Sequence, residues 1–121
     1  GFTGEVPAYL SATDIYLSTS RWEGLPYALI EAQSLDIPVV ATNVVGNNEV
    51  VENDKNGFLF ESAQQACRDI ENLLNDEKIY GKMQSEALIN FKDKFDIGIT
   101  VCKVEKIYEQ MFENRSTREP Q

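Results

Sequence analysis

The chain has 121 residues, of which 42% are hydrophobic and 26% charged, with a net charge of −9, no histidine and two cysteines. This length and composition suit one globular domain with its own core, and no apolar run reaches the ~18 residues of a membrane-spanning helix. The negative charge argues against nucleic acid or an anionic membrane as a partner of this segment, and the missing histidine excludes a Ser-His triad or a histidine zinc site.

The first predicted elements are a helix, a strand and a second helix. Apolar residues at helical spacing follow Pro7, a residue that a first helical turn tolerates. The continuously apolar run 15–17 predicts the first strand. Pro26 presets a helical φ, so we expect it at the first position of a helix whose apolar residues repeat through Leu35.

Two more strands are predicted, at residues 38–41 and 58–60, with a short helical turn at 47–52 between them. These runs are apolar without alternation, which is typical of strands covered on both faces.

The second half of the chain is predicted to be helical. Ser62 and Gln65 have the spacing of a capping box at a helix start. Three apolar stripes follow at helical period, and we expect all three to face the core. Their residues are Ala63, Ala66, Cys67, Ile70, Leu73 and Leu74, then Tyr80, Met83, Ala87 and Phe91, then Val101, Val104, Tyr108 and Met111.

These elements predict an α/β fold: a Rossmann-like parallel sheet with helices on both faces, followed by C-terminal helices. We expect one domain over residues 1–112, truncated at its N-terminal side, and a polar, frayed tail over 113–121. Cys67 and Cys102 fall in predicted helices and are expected as buried or half-buried free thiols, as suits a reducing cytoplasm.

The loop after the first strand carries the candidate chemistry. Gly24 removes a side chain that would keep a ligand from the backbone, and a helix start at Pro26 leaves unpaired N–H groups at the positive end of the helix dipole. Glu23 precedes this anion site, and the Cβ of Glu31 tilts back towards it. A sugar nucleotide would supply a diphosphate for the amides and hydroxyls for the carboxylates. Solvated glutamates that merely favour a helix start would occupy the same two positions.

Residues 23–32 read Glu-Gly-Leu-Pro-Tyr-Ala-Leu-Ile-Glu-Ala and resemble the E-x7-E signature of the retaining family-4 glycosyltransferases, which have the GT-B fold. Residues 38–42, 46–51 and 56–60 resemble the next blocks of that family in the same order and spacing. The chain is therefore similar to the C-terminal, donor-nucleotide domain of such an enzyme.

This resemblance implies a role for each matching residue. Glu23 would be the catalytic residue that lies against the transferred sugar. Gly24, Leu25 and Pro26 would present backbone groups to that sugar and to the diphosphate. Glu31 would accept hydrogen bonds from the ribose hydroxyls.

The resemblance also implies the partners and the reaction. The donor would be a UDP-, GDP- or ADP-sugar, and a domain outside this chain would bind a glycan or lipid-linked acceptor. A hexosyl group would be transferred with retention, in polysaccharide or cell-envelope biosynthesis. No cofactor and no divalent metal are expected, because helix amides and basic side chains would stabilise the leaving diphosphate.

Arg21 is the one cation in the loop and a candidate for the diphosphate. The remaining cations would lie upstream of Gly1, so we expect the isolated chain to be inactive. We expect a cytoplasmic protein whose full-length form touches the inner membrane peripherally. This acidic segment would not bind a membrane by itself.

Two positions depart from the family pattern. Asp36 stands where glycine is common, and aspartate tolerates the left-handed backbone of a helix end. Val45 replaces the first of a glycine pair, which changes how closely residues 42–47 approach a ligand.

Three alternatives remain open. One is a non-catalytic flavodoxin- or receiver-like binding module, although Asp14 begins a strand and Lys103 lies in a helix, unlike the acidic cluster and late-strand lysine of a receiver. The second is a scaffold that binds no ligand. The third is another GT-B enzyme, such as an epimerase or a phosphorylase relative.

Overall fold

The computed structural model describes residues 3–116 as a three-stranded parallel sheet with helices around it. In chain order the elements are α1 Val6–Ser11, β1 Tyr16–Ser18, α2 Tyr27–Ser34, β2 Val39–Thr42, α3 Asn47–Val50, β3 Gly57–Phe60, α4 Ala63–Asn75, α5 Glu77–Asn90, a π-helical segment Phe91–Phe95 and α6 Ile97–Ser116. The strand order is β1-β2-β3 and both pairings are parallel. The predicted α/β fold is confirmed, and the three strands lie within one residue of their predicted positions.

Both faces of the sheet are covered, as the continuously apolar strands predicted. Val39 and Ala41 of β2 pack on one face in a cluster that includes Leu29 of α2. Val40, between them, packs on the opposite face in a cluster that includes Leu73 of α4. Each large apolar side chain buried in this way contributes about 1.5–3 kcal/mol of transfer free energy, so the two clusters hold the helices against the sheet.

Helix α2 begins one residue later than predicted. Pro26 is its N-cap and not its first helical residue, because its ψ of 83° lies outside the helical range. The Pro26 carbonyl accepts hydrogen bonds from the N–H groups of Leu29 and Ile30, at 3.0 and 3.3 Å. At the other end, Asp36 has a φ of 58°, the left-handed conformation expected for this position.

The predicted capping box opens α4. The backbone N–H of Gln65 donates to the Ser62 hydroxyl at 3.3 Å, and Gln65 Oε1 accepts from the backbone N–H of Glu61 at 3.2 Å, one residue before the usual partner. Asp76 caps α5 by accepting from the first two N–H groups beyond Glu77. This second cap was not predicted.

The first two apolar stripes contribute buried residues to the core, although Ala63 and Leu74 of the first stripe are exposed. The prediction for the third stripe was wrong. Val101, Val104, Tyr108 and Met111 of α6 are 47%, 44%, 59% and 58% exposed. Within the described residues α6 packs mainly against the π-helical segment, and its apolar stripe stays largely exposed. Helical periodicity identifies an apolar face, but it does not identify what covers that face.

The cysteine prediction was also wrong, since Cys67 and Cys102 are both exposed. Cys67 lies on the outer side of α4, and Cys102 lies on α6, which is uncovered. Helix α6 continues to Ser116, so 113–116 of the predicted tail are helical, and 117–121 lie outside the described residues. No helix in the described part is both long and apolar enough to cross a membrane.

Candidate functional site

The predicted site residues lie at the carboxyl edge of the sheet, between β1 and the first turns of α2. Arg21, Glu23, Gly24 and Leu25 belong to the connecting loop, which Pro26 closes as the N-cap of α2. Arg21 is exposed and forms no ion pair with any residue of 3–116.

Glu23 is half-buried and is held from two sides. The Ser20 hydroxyl donates to Glu23 Oε1 at 2.6 Å, a length typical of a hydrogen bond to a carboxylate. The backbone N–H of Glu23 donates to the carbonyl of Val45 at 3.3 Å. No described residue donates to Glu23 Oε2, so this oxygen can accept a hydrogen bond from a ligand.

Unpaired backbone donors follow Glu23 in the chain. The N–H groups of Gly24, Leu25 and Ala28 find no acceptor within residues 3–116. The N–H of Tyr27 does not belong to this set, because it donates to the Leu25 carbonyl at 3.0 Å. The anion site expected at the start of α2 is therefore made of loop amides together with one helix amide.

Glu31 is exposed and lies in a different setting from Glu23. It lines a groove of about 270 Å³ between α1 and α2, with the other lining residues Val6, Pro7, Leu10, Ser34 and Leu35. The groove wall is mostly apolar, so Glu31 is its charged acceptor. Glu23 does not line this groove.

The Leu25 side chain does not line the groove that contains Glu31. It is 44% exposed and lines a second groove, with Tyr27, Ile30, Lys94, Phe95, Ile97 and Thr100. Its side chain therefore faces the π-helical segment and α6, which leaves its backbone N–H as the group available at the loop.

A second loop contacts the first, which the sequence did not predict. Gly46 has a φ of +92°, and a Cβ at this position would lie 2.5 Å from the Gly24 carbonyl oxygen and 2.7 Å from that of Glu23. Only glycine fits such a contact. Next to it, Asn47 is fully buried and donates through Nδ2 to the carbonyl of Thr42 at 3.0 Å and to its hydroxyl at 3.2 Å.

The titratable groups with shifted pKa values lie outside this loop. Hydrogen bonds from Lys94, first, and from Lys55 lower the pKa of Glu52 from 4.5 to about 2. Burial raises the pKa of Asp69 in α4 and of Tyr80 in α5. The ion pair between Lys94 Nζ and Glu52 Oε1, at 2.5 Å, links the turn after α3 to the π-helical segment.

Comparison with known proteins identifies the family. Residues 1–89 match the family described as "Glycosyl transferases group 1". The chain is 32% identical over 121 residues to the UDP-Gal:alpha-D-GlcNAc-diphosphoundecaprenol alpha-1,3-galactosyltransferase of Escherichia coli, an alignment that covers 95% of this chain and 30% of that enzyme.

The fold occurs in solved structures, and two of them are also relatives of this chain by sequence identity. The C-terminal domain of the glycosyl transferase group 1 family protein LpcC from Francisella tularensis superposes with a TM-score of 0.73 and 29% identity, covering 80% of this chain and 52% of that one. Anabaena Alr3699/HepE in complex with UDP-glucose superposes with a TM-score of 0.75 and 28% identity, covering 97% of this chain and 31% of that one.

The chain thus spans about a third of the E. coli and Anabaena proteins and about half of the LpcC chain. The match over residues 1–89 sets aside the flavodoxin- and receiver-like alternative, and it favours a transferase over an epimerase. This chain belongs to the glycosyl transferases group 1 family and has the Rossmann-like fold of a GT-B C-terminal domain.

Proposed function

We propose that this chain is the donor-binding part of an enzyme that transfers a hexosyl group, with retention, from a UDP-, GDP- or ADP-sugar to a glycan or lipid-linked acceptor. Its family membership supports the transferase chemistry. The E. coli relative is named for a diphosphoundecaprenol-linked acceptor, and the Anabaena structure contains UDP-glucose. Both names support a nucleotide-sugar donor, and the acceptor in the E. coli name supports a place in polysaccharide or cell-envelope biosynthesis.

One observation carries the proposal, namely that a free carboxylate oxygen and unpaired amides lie close in sequence, in the site loop and the first turn of α2. The N–H groups of Gly24, Leu25 and Ala28 have no acceptor among the described residues, and Glu23 Oε2 has no donor there. Backbone N–H groups at the positive end of a helix suit phosphate oxygens, and a carboxylate suits sugar hydroxyls. In this proposal Glu23 contacts the transferred sugar, and the loop amides contact the sugar and the diphosphate. Pro26 has no backbone N–H and its carbonyl already accepts from Leu29 and Ile30, so its expected backbone contact is replaced by a role in ending the loop and starting α2.

Glu31 would then bind the nucleoside. It is the acidic residue of a largely apolar groove between α1 and α2. A ribose carries two adjacent hydroxyls on an otherwise weakly polar ring, and a carboxylate can accept hydrogen bonds from both.

The proposal includes no cofactor and no divalent metal. No three acidic or cysteine side chains of residues 3–116 converge on a point where an ion could bind. Arg21 is the one cation in residues 18–26 and 42–47, so the leaving diphosphate would need further cations from outside this chain. The chain alone should therefore bind a donor without transferring its sugar. We place the enzyme in the cytoplasm, with its longer form peripheral at the inner membrane.

The first test is calorimetric titration of the 121-residue chain with UDP, GDP and ADP, and then with the corresponding hexose conjugates. We expect one of the three nucleotides to bind, equally well with EDTA or with magnesium. Glu31→Gln should weaken nucleotide binding about 10- to 100-fold, the usual effect of losing hydrogen bonds to a charged group. Glu23→Gln should weaken only the additional affinity for the sugar conjugate.

Glu71→Gln is the matched control, because Glu71 is an exposed glutamate of α4, outside the loop and the groove. It should bind as the unmodified chain does. The proposal is overturned if no nucleotide binds, or if Glu31→Gln binds with unchanged affinity. A transfer assay on the same samples should give no glycosylated product, and efficient turnover would contradict the need for further cations.

A further inference from the structure

The Glu23 carboxylate stands at the end of a chain of hydrogen bonds that begins in the protein interior. Asn47 Nδ2 donates to the Thr42 hydroxyl at 3.2 Å. That hydroxyl donates to the backbone carbonyl of Ser20, 22 residues earlier in the sequence. The Ser20 side chain in turn donates to Glu23 Oε1 at 2.6 Å and accepts from the Ser18 hydroxyl at 3.3 Å. The relay, defined as Asn47, Thr42 and Ser20, therefore joins β2 to the site loop.

Residues Val45 and Gly46 also contact the backbone of the same loop. The Val45 carbonyl accepts the N–H of Glu23, and Gly46 lies so near the carbonyls of Glu23 and Gly24 that a Cβ would not fit. Residues 42–47 thus contact the Glu23 backbone directly and its carboxylate only through Ser20. The pairing of β2 with β1 and β3 follows from the register of the strands and does not include the relay side chains.

The far end of the relay contains a buried acceptor without a partner among the described residues. Asn47 is 0% exposed, and its Oδ1 has no hydrogen-bond partner among the described residues. A buried acceptor without a partner costs about 1–3 kcal/mol. The Thr42 carbonyl would keep a donor without Asn47, because the N–H of Val44 also donates to it at 2.9 Å. The distinct contribution of the asparagine is its hydrogen bond to the Thr42 hydroxyl.

We propose that Asn47, Thr42 and Ser20 are positioning residues, which fix the Glu23 carboxylate in the orientation needed for the transferred sugar. The inference rests on the proposed function for the role of Glu23, but the relay can be tested without any ligand. A half-exposed glutamate otherwise samples several rotamers, and fixing one beforehand removes an entropy cost of binding.

The ligand-free test is NMR measurement of the three-bond couplings that report the Glu23 side-chain rotamer. In the unmodified chain these couplings should show one rotamer. Thr42→Val keeps the shape but removes the hydroxyl, so the couplings should become averaged. Thr42→Ser restores the hydroxyl and should restore the single rotamer. Thr13→Val is the matched control, since Thr13 also donates its hydroxyl to a backbone carbonyl, that of Tyr9, outside the relay.

Asn47→Leu separates positioning from stability. It removes the relay's first donor together with the unpaired acceptor, so urea denaturation should show an unfolding midpoint close to that of the unmodified chain. The Glu23 couplings should nevertheless become averaged. Unchanged couplings in both Thr42→Val and Asn47→Leu would overturn the proposal, and so would averaged couplings in the Thr13→Val control.

The ligand-bound test compares two affinities in each variant. Thr42→Val should weaken binding of the nucleotide sugar about 5- to 10-fold while leaving the bare nucleotide unchanged, because only the sugar contacts Glu23. Equal losses for both ligands would mean general damage and would contradict the inference. If no nucleotide binds to any variant, the proposed function fails, and the NMR result still decides whether the relay orders Glu23.

Discussion

Gly46 shows how one residue can decide the shape of the candidate site. Its φ of +92° is a conformation that other residues rarely adopt, and a Cβ at this position would collide with the carbonyl oxygens of Glu23 and Gly24. The sequence showed a glycine after the second strand, but it did not show what the glycine would touch. The Ser20–Glu23 hydrogen bond is local and follows from spacing, whereas the Thr42–Ser20 contact joins residues that only the fold brings together.

Replacing Gly46 with alanine should therefore disturb the site loop. The added Cβ would lie 2.5 Å from the Gly24 oxygen at a positive φ, so we expect a loss of about 1–3 kcal/mol in unfolding free energy. Amide chemical-shift changes should concentrate at residues 20–25.

Gly81→Ala is the control for this substitution, because Gly81 lies within α5 and a Cβ there would meet nothing within 4 Å. Alanine should stabilise that helix by about 0.5–1 kcal/mol. An alanine at position 46 that leaves both stability and the loop shifts unchanged would contradict the packing described above.

At the scale of elements, strands were easier to predict than the ends and surroundings of helices. The three strands were visible because strands buried on both faces are continuously apolar. The π-helical segment Phe91–Phe95 was missed because the apolar stripe through Phe91 also fits an ordinary α-helix. The ion pair that connects this segment to the turn after α3 could not be seen either, since Glu52 and Lys94 are 42 residues apart.

The Glu52–Lys94 ion pair predicts a specific dependence of stability on pH. Hydrogen bonds from Lys94 and, to a smaller extent, from Lys55 hold the pKa of Glu52 at about 2, below the ordinary 4.5. The ionised carboxylate therefore stabilises the fold fully above pH 4.5, and this contribution is lost as the pH falls towards 2. Because both side chains are 41% or more exposed, the contribution at neutral pH should be below about 1 kcal/mol.

The measurement is urea denaturation of the unmodified chain and of Glu52→Gln between neutral pH and the acid limit of this window. The difference in unfolding free energy between the two proteins should shrink as the pH falls below 4.5. Added salt should reduce this difference at neutral pH. A difference that grows with acidification would show that the ion pair does not stabilise the fold.

At the scale of the whole molecule, the described chain consists of a packed sheet domain and a long final helix that is mostly uncovered. The fold of the sheet domain could be predicted from the sequence because its apolar residues are buried against one another. The exposure of α6 could not be predicted, because an apolar stripe looks the same whether its cover lies in this chain or elsewhere.

This division predicts two very different costs of truncating an apolar side chain. Leu73 of α4 is 2% exposed in the core, so Leu73→Ala should lower the unfolding free energy by about 2–5 kcal/mol. Val104 is 44% exposed on α6, so Val104→Ala should change the unfolding free energy by less than about 0.5 kcal/mol. Urea denaturation of both variants tests this contrast, and a Val104→Ala loss comparable with that of Leu73→Ala would mean that α6 is packed.

The two exposed thiols make the position of α6 measurable. Cys67 lies on α4, within the packed sheet domain, and Cys102 lies near the start of α6. Maleimide dyes can therefore be attached to both helices without introducing a new cysteine. Energy transfer between the dyes would report the distance of the final helix from the sheet in solution, and would follow that distance when nucleotide is added.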